Sequence, residues 1–260
     1  MKLHYLGTCS GTEPMAGMHH CSFILEIDGA LYWFDAGESC SHTAFTSGID
    51  VTKTEALFLS HPHIDHMGGL ANLFFCLDKV IWKYQKKLAN ENRLEAFYPD
   101  ETLFAAAKTL ALCGVYGNFR FTLGEHRITD GVIFEDRNLR VRAMHNLHMG
   151  EPADGNWRSY SFLLECEGKR VVYAGDIKHL DEITPLVGDG VDLLIMESGH
   201  HAVRDICEYA VSHGVRRLRF NHHGREILGD RAAAEDLLSQ YEAAHPVSMR
   251  LCYDGMTEIL

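Results

Sequence analysis

Glu55-Ala56-Leu57-Phe58-Leu59-Ser60, followed at once by His61-Pro62-His63-Ile64-Asp65-His66-Met67-Gly68-Gly69, is the stretch that decides how this chain is read. The first six residues form a short, nearly continuous apolar run, the pattern of a strand buried on both faces. The run stops abruptly at a loop in which four potential metal ligands, His61, His63, Asp65 and His66, fall within six residues. Imidazole nitrogen and carboxylate oxygen suit zinc and other first-row divalent ions, and the lack of thiolate favours an open catalytic site over a closed structural one. A polar surface loop accounts for one such histidine, but not for four donors placed together at a strand end. Beyond Gly68 and Gly69, LANLFFCL (Leu70 to Leu77) has the length and composition of a buried helix.

Working outward, the pattern predicts strands at Lys2 to Leu6, Cys21 to Ile27 and Leu31 to Phe34, with Asp28-Gly29 as a hairpin turn. A lysine-rich amphipathic stretch (Lys79 to Leu94) is followed by a strand ending at Pro99 and an Ala-rich helix from about Glu101 to Leu112. From Phe119 onward FRFTLGEHRI, GVIFED, LRVRAM, SYSFLLE, KRVVYAG and VDLLIME read as strands. A helix from about Val203 to Ser212, the strand VRRLRF, a helix from about Arg231 to Ala243 and a final strand SMRLCYDGMTEIL complete the chain. β-rich halves with interposed helices indicate a layered α/β or α+β fold, and no Pro- or Ser-rich linker divides it, so a single domain over residues 1–260 is expected.

Composition bounds the function classes. A hydrophobic share of 46% and a charged share of 23% are ordinary for a folded protein and exclude a disordered or fibrous one. No apolar run reaches the roughly 18 to 20 residues that span a bilayer, and the start of the chain lacks a signal-peptide core, so no membrane association and a cytoplasmic location are expected. The eight cysteines (Cys9, Cys21, Cys40, Cys76, Cys113, Cys166, Cys207, Cys252) are scattered without a CxxC pair and read as reduced thiols. A formal charge of -12 opposes binding of extended double-stranded nucleic acid. Two bound divalent ions would return about four positive charges to one cleft, which keeps small or locally docked anions open as substrates.

HPHIDHMGG resembles the H-x-H-x-D-H signature of the metallo-β-lactamase superfamily, whose fold is a four-layered αββα sandwich. The resemblance extends to the rest of the chain. Asp35 in LYWFDAGE matches an early Asp that supports the metal site from behind, and Asp176 in RVVYAGD matches a metal-bridging Asp. In VRAMHNLHMG the mid-chain ligand falls on His148 in preference to His145, and in LRFNHHGREI the last ligand falls on His222 in preference to His223. The resemblance then implies that His61, His63 and His148 hold one divalent ion, that Asp65, His66 and His222 hold a second, and that Asp176 bridges them. Zinc is the first choice, with manganese and iron open. Such a pair shares a hydroxide at neutral pH and polarises the substrate oxygen, and Asp65 would orient that nucleophile.

Within the superfamily the chain is most similar to ribonuclease Z and its phosphodiesterase relatives. The opening LGTCSGTEP resembles their Gly-Thr-rich first loop, LEAFYPDE a strand-Pro segment, and VDLLIMESGHHAVRDICEYA an acidic strand end followed by a His at a helix start. In that last segment Glu197 and His200 would form a pair that protonates the leaving oxygen, with His201 as the alternative to His200. The chain departs from the tRNA-processing pattern in two ways. Met18, His19 and His20 stand where an Arg-Asn pair is expected, and the long Gly-Pro-rich arm is not evident. The substrate expected is therefore an RNA or a cyclic or small phosphodiester, without commitment to tRNA. Lys79, Lys83, Lys86, Lys87 and Arg93 offer a basic face, though charge on a helix is usually solvated surface. A carboxyl-type hydrolase (thioesterase or lactonase) on the same metals is the runner-up, and a non-catalytic binding module is the reading from another class. Leu73 to Leu77 either pack internally or against a twin subunit, so a homodimer stays open.

Overall fold

A computed structural model describes residues 1–11 and 15–260. Thr12, Glu13 and Pro14 of the Gly-Thr-rich first loop lie outside the described residues. The chain divides into two compact units, one built from Met1–Gly11, Ala16–Ile128 and Tyr253–Leu260, the other essentially Thr129–Cys252.

The first unit is built on a seven-stranded sheet of β1 (Lys2–Gly7), β2 (Ser22–Ile27), β3 (Ala30–Phe34), β4 (Thr54–Phe58), β5 (Arg93–Tyr98), β6 (Thr122–Arg127) and β14 (Thr257–Ile259). Their order is β14-β1-β2-β3-β4-β5-β6. The pairs from β14 to β3 are antiparallel, and those from β3 to β6 are parallel. Hydrophobic residues on both faces explain why β3 reads as an unbroken apolar run, all five of its residues being buried. On one face Leu6, Ile24, Trp33 and Leu57 join Leu70, Leu73, Phe74 and Leu77 of the helix Leu70–Tyr84 in a single core. Leu73, Phe74 and Leu77 of that helix thus pack internally. Across the strands runs a ladder of stacked rings, Phe23 on Phe34, Phe34 on Phe58 and Phe58 on Phe97, with centroids 5.0, 5.0 and 4.9 Å apart. Stacked pairs of this kind contribute about 0.5–1.5 kcal/mol beyond area burial and pin the register of neighbouring strands.

The second unit repeats the pairing pattern in β7 (Gly131–Glu135), β8 (Arg140–His145), β9 (Tyr160–Cys166), β10 (Lys169–Tyr173), β11 (Leu193–Met196), β12 (Arg217–Phe220) and β13 (Ser248–Leu251). Their order is β13-β12-β11-β10-β9-β8-β7, antiparallel from β7 to β10 and parallel from β10 to β13. Its core gathers Val172, Leu194, Met196, Leu218 and Phe220 from the strands with Ile206 and Ala210 of the helix Val203–Ser212 and Leu238 of the helix Arg231–Ala244.

The structure differs from the sequence reading at several elements. The strand expected through Ser60 ends at Phe58, because Leu59 and Ser60 already turn into the ligand loop. A four-residue helix, Ile64–Met67, forms inside that loop. Three short helices, Cys40–Thr46, Thr184–Val187 and Arg225–Gly229, have too few residues to show a helical period. The last predicted strand is two strands in different sheets, β13 and β14. They are separated by a turn with Gly255 at φ 81°, where Asp254 accepts hydrogen bonds from Thr8 Oγ1 (2.8 Å) and from the backbone N–H of His19 (2.6 Å). Among the described residues no helix is long and apolar enough to cross a membrane.

Candidate active site

The predicted chemistry-bearing residues of both units stand just after strands, mostly parallel ones: Asp35 after β3, the His61 loop after β4, Asp176 after β10, Glu197 after β11 and His222 after β12. This end of a parallel sheet is where α/β folds carry their ligand sites, because the loops leaving it converge.

In the first unit Asp35 is fully buried and acts as the hub. Its Oδ1 accepts the Ser60 backbone N–H at 2.6 Å, and its Oδ2 accepts the Ser60 hydroxyl at 2.8 Å and His66 Nδ1 at 2.7 Å. Since the Ser60 hydroxyl gives its proton to Asp35, its oxygen is the acceptor for His61 Nδ1, 3.0 Å away. Both imidazoles are thereby assigned the Nδ1–H tautomer, which leaves an Nε2 lone pair on each as a metal ligand. The turn holding Asp35 is locked to the ligand loop through the bonds Ala36 N–H to His66 O (2.7 Å) and Gly69 N–H to Ala36 O (2.8 Å). A Cβ on Gly69 would lie 2.1 Å from the Gly37 carbonyl oxygen, so only glycine permits this approach.

The donor spacing fits divalent ions. For tetrahedral zinc with bonds of about 2.0–2.1 Å, two ligand atoms lie about 3.3 Å apart. His61 Nε2 and His63 Nδ1 are 3.0 Å apart, and His66 Nε2 and Asp65 Oδ2 are 3.5 Å apart. Cys21 also lies close to Asp35 and His66, but the hydrogen bonds already engaging Asp35 make it a brace and not a ligand.

The second unit gathers its donors around Asp176, which is 2% exposed. Its Oδ2 is 3.4 Å from His222 Nε2, 3.7 Å from His148 Nε2 and 3.8 Å from His200 Nδ1. The first two separations again match atoms sharing an ion. His148 is braced by Asn146, whose Oδ1 accepts the His148 N–H at 3.1 Å and whose Nδ2 donates to Ser161 Oγ at 3.1 Å. His145 lies elsewhere, with Nδ1 2.6 Å from Asp130 and its ring stacked on Trp157 at 3.9 Å. His222 adopts a left-handed conformation at φ 53°, an uncommon one for a residue other than glycine and often found at functional sites. His223 is turned away, its Nε2 2.8 Å from the Cys252 carbonyl, and burial pushes its pKa down to about 4 despite that bond.

Glu197, 2% exposed, accepts the backbone N–H of His200 at 2.9 Å and faces His200 Nδ1 at 3.1 Å. His201 Nε2 lies 3.1 Å from the Ile177 carbonyl and 3.7 Å from Glu197. Of the lysine-rich stretch, Lys79 sits over the rings of Phe75 and Trp82, Lys86 pairs with Asp50 at 3.4 Å, and Arg93 pairs with Glu95. These cations are largely engaged within their own surface. Ser60 and Asn146 escaped the sequence reading. Their only signal was position, Ser60 immediately before His61 and Asn146 between the two competing histidines.

Comparison with known proteins agrees with the fold. The ribonuclease Z of Methanothermobacter thermautotrophicus is 23% identical over 279 residues, covering 85% of this chain and 86% of that protein. The ribonuclease Z of Listeria innocua is 30% identical over 146 residues, covering 55% of this chain and 44% of that protein's length. The crystal structure of human tRNase Z, short form, superposes with a TM-score of 0.73 at 18% identity, covering 100% of this chain and 99% of that one. The family model described as anti-Pycsar protein Apyc1 matches residues 1–201. The chain therefore belongs to that family and has the metallo-β-lactamase fold, with ribonuclease Z proteins among its sequence relatives.

Proposed function

We propose that this chain hydrolyses phosphodiester bonds, in a small or cyclic phosphodiester or an RNA, working as a single domain with two divalent ions, zinc first among them. His61, His63 and His148 would hold one ion, Asp65, His66 and His222 the other, and Asp176 would be shared. When bound, the ions supply an activated water nucleophile and Lewis-acid polarisation of the substrate oxygen. The observation that carries the reading is the donor spacing inside each unit, 3.0 and 3.5 Å in the first and 3.4 and 3.7 Å in the second. Family membership supports it.

The chain's own residues have separate tasks. Asp35, through Ser60 and directly, holds the protons of two imidazoles on the nitrogens that face away from the donor set. Glu197 fixes the His200 ring at Nδ1, so that Nε2–H is the group that can protonate a departing alkoxide, a step worth about 10²–10⁴-fold. Asp65 orients the attacking water.

The test is turnover of bis-(p-nitrophenyl) phosphate by protein of known metal content, beside thioester and lactone panels. Phosphodiester turnover that needs metal supports the reading. Carboxyl-substrate turnover alone would replace it with a thioesterase or lactonase, and metal without hydrolysis would replace it with a binding module.

A further inference from the structure

The second unit opens a cavity of about 470 Å³ lined by residues 198–202 together with Arg225 and Glu226. His200 stands on its wall, its side chain 42% exposed and its Nδ1 turned to Glu197. The cavity is built on a crossing of two backbones. A Cβ on Gly224 would lie 2.3 Å from the Ser198 carbonyl oxygen and 2.7 Å from Gly199 Cα. Two hydrogen bonds fasten the crossing, Ser198 N–H to His222 O and Gly224 N–H to Ser198 Oγ, each 3.2 Å. Arg225 follows immediately, three residues after His222, so its position relative to His200 is set by rigid backbone.

The charges in the cavity differ in kind. Glu226 accepts the Val203 N–H through Oε2 at 2.9 Å at the start of the helix Val203–Ser212. Arg225 is exposed and permanently charged. A planar guanidinium offers two parallel N–H donors that match two phosphate oxygens. In a chain of net charge -12, whose first loop carries Met18, His19 and His20 and no Lys or Arg between Met15 and His20, Arg225 adds a fixed cation for an anionic substrate beyond the charge that bound ions would bring.

We propose that this cavity is an oxyanion subsite in which Arg225 grips a phosphate oxygen of the substrate. Arg225 is thus a binding and specificity residue for phosphodiesters and their phosphate products. The proposal rests on the hydrolase reading above for its substrate, but not for its binding test. Inorganic phosphate is titrated calorimetrically into the metal-loaded wild type, Arg225→Ala, Arg225→Lys and Arg250→Ala, the last removing an exposed arginine of β13. Kinetics with bis-(p-nitrophenyl) phosphate are run in parallel. Arg225→Ala is expected to raise the phosphate Kd at least about tenfold and to lower kcat/KM about 10- to 100-fold. Arg225→Lys should fall between alanine and wild type, guanidinium ion should partly restore Arg225→Ala, and Arg250→Ala should match wild type. Wild-type values for Arg225→Ala in both measurements, or an equal loss in Arg250→Ala, would overturn the proposal. If the wild type turns over no phosphodiester, the hydrolase reading fails, while the phosphate titration still decides the role of Arg225.

Discussion

Asp35 sits in a left-handed turn at φ 56° with no solvent exposure, and a single carboxylate there sets the proton positions of His66 directly and of His61 through Ser60. Asparagine tolerates this backbone conformation better than most residues, so Asp35→Asn removes charge and acceptor capacity while the turn survives. Outer partners of this kind typically change metal affinity 10–100-fold. Asp35→Asn is therefore expected to bind zinc about 10- to 100-fold more weakly than wild type while keeping its far-ultraviolet circular dichroism, as competition against a chromogenic chelator would show. Unchanged affinity would mean that the hydrogen bonds of Asp35 serve the turn alone. The residues legible in the sequence were those whose side chains concentrate in one segment or match a whole strand-turn pattern. Ser60 and Asn146 were not legible, since one hydroxyl and one amide carry no pattern until their partners are known.

At the level of elements, the ring ladder of Phe23, Phe34, Phe58 and Phe97 holds β2 to β5 in register, and two of its rungs lie just before functional residues. Phe34 precedes Asp35, and Phe58 stands two residues before Ser60, so the ladder helps to set the 2.6 Å contact between them. Phe58→Ala would leave a cavity between two buried rings, and a loss of about 3–5 kcal/mol in unfolding free energy is expected, read as a lower denaturant midpoint at unchanged m-value. A loss under about 1 kcal/mol would show that the strands hold register without the ladder. The apolar runs of β3, β4 and β10 were readable because strands buried on both faces have few polar interruptions. The division of the last segment into β13 and β14 was not. SMRLCYDGMTEIL has strand composition throughout, and its two halves are told apart by their long-range partners, β12 for β13 and β1 for β14, with Thr8 and His19 holding Asp254 between them.

For the molecule as a whole, both sheets share one pairing scheme, three antiparallel pairs followed by three parallel ones, and both carry their chemistry just after strand ends. The repeat is topological and left no fixed period in the sequence. Burial raises the pKa of the Cys40 and Cys207 thiols to about 12 and that of Cys166 to about 11. A buried, protonated thiol is inert. Ellman's reagent on the native protein should therefore label exposed Cys113 quickly and half-buried Cys76 slowly, and reach all eight only after denaturation. Fast labelling of more than these two would show that the cores open readily.

The central claim concerns the proposed pair of divalent ions, and Asp176 is the group assigned to both. Metal content is measured by plasma mass spectrometry on wild type and Asp176→Ala after dialysis against a weak chelator and reloading with zinc. About two zinc per wild-type chain, falling to one or none in Asp176→Ala with loss of bis-(p-nitrophenyl) phosphate turnover, is expected. A wild-type chain that takes up no zinc, or an Asp176→Ala chain that keeps both ions and full turnover, would show the claim to be wrong.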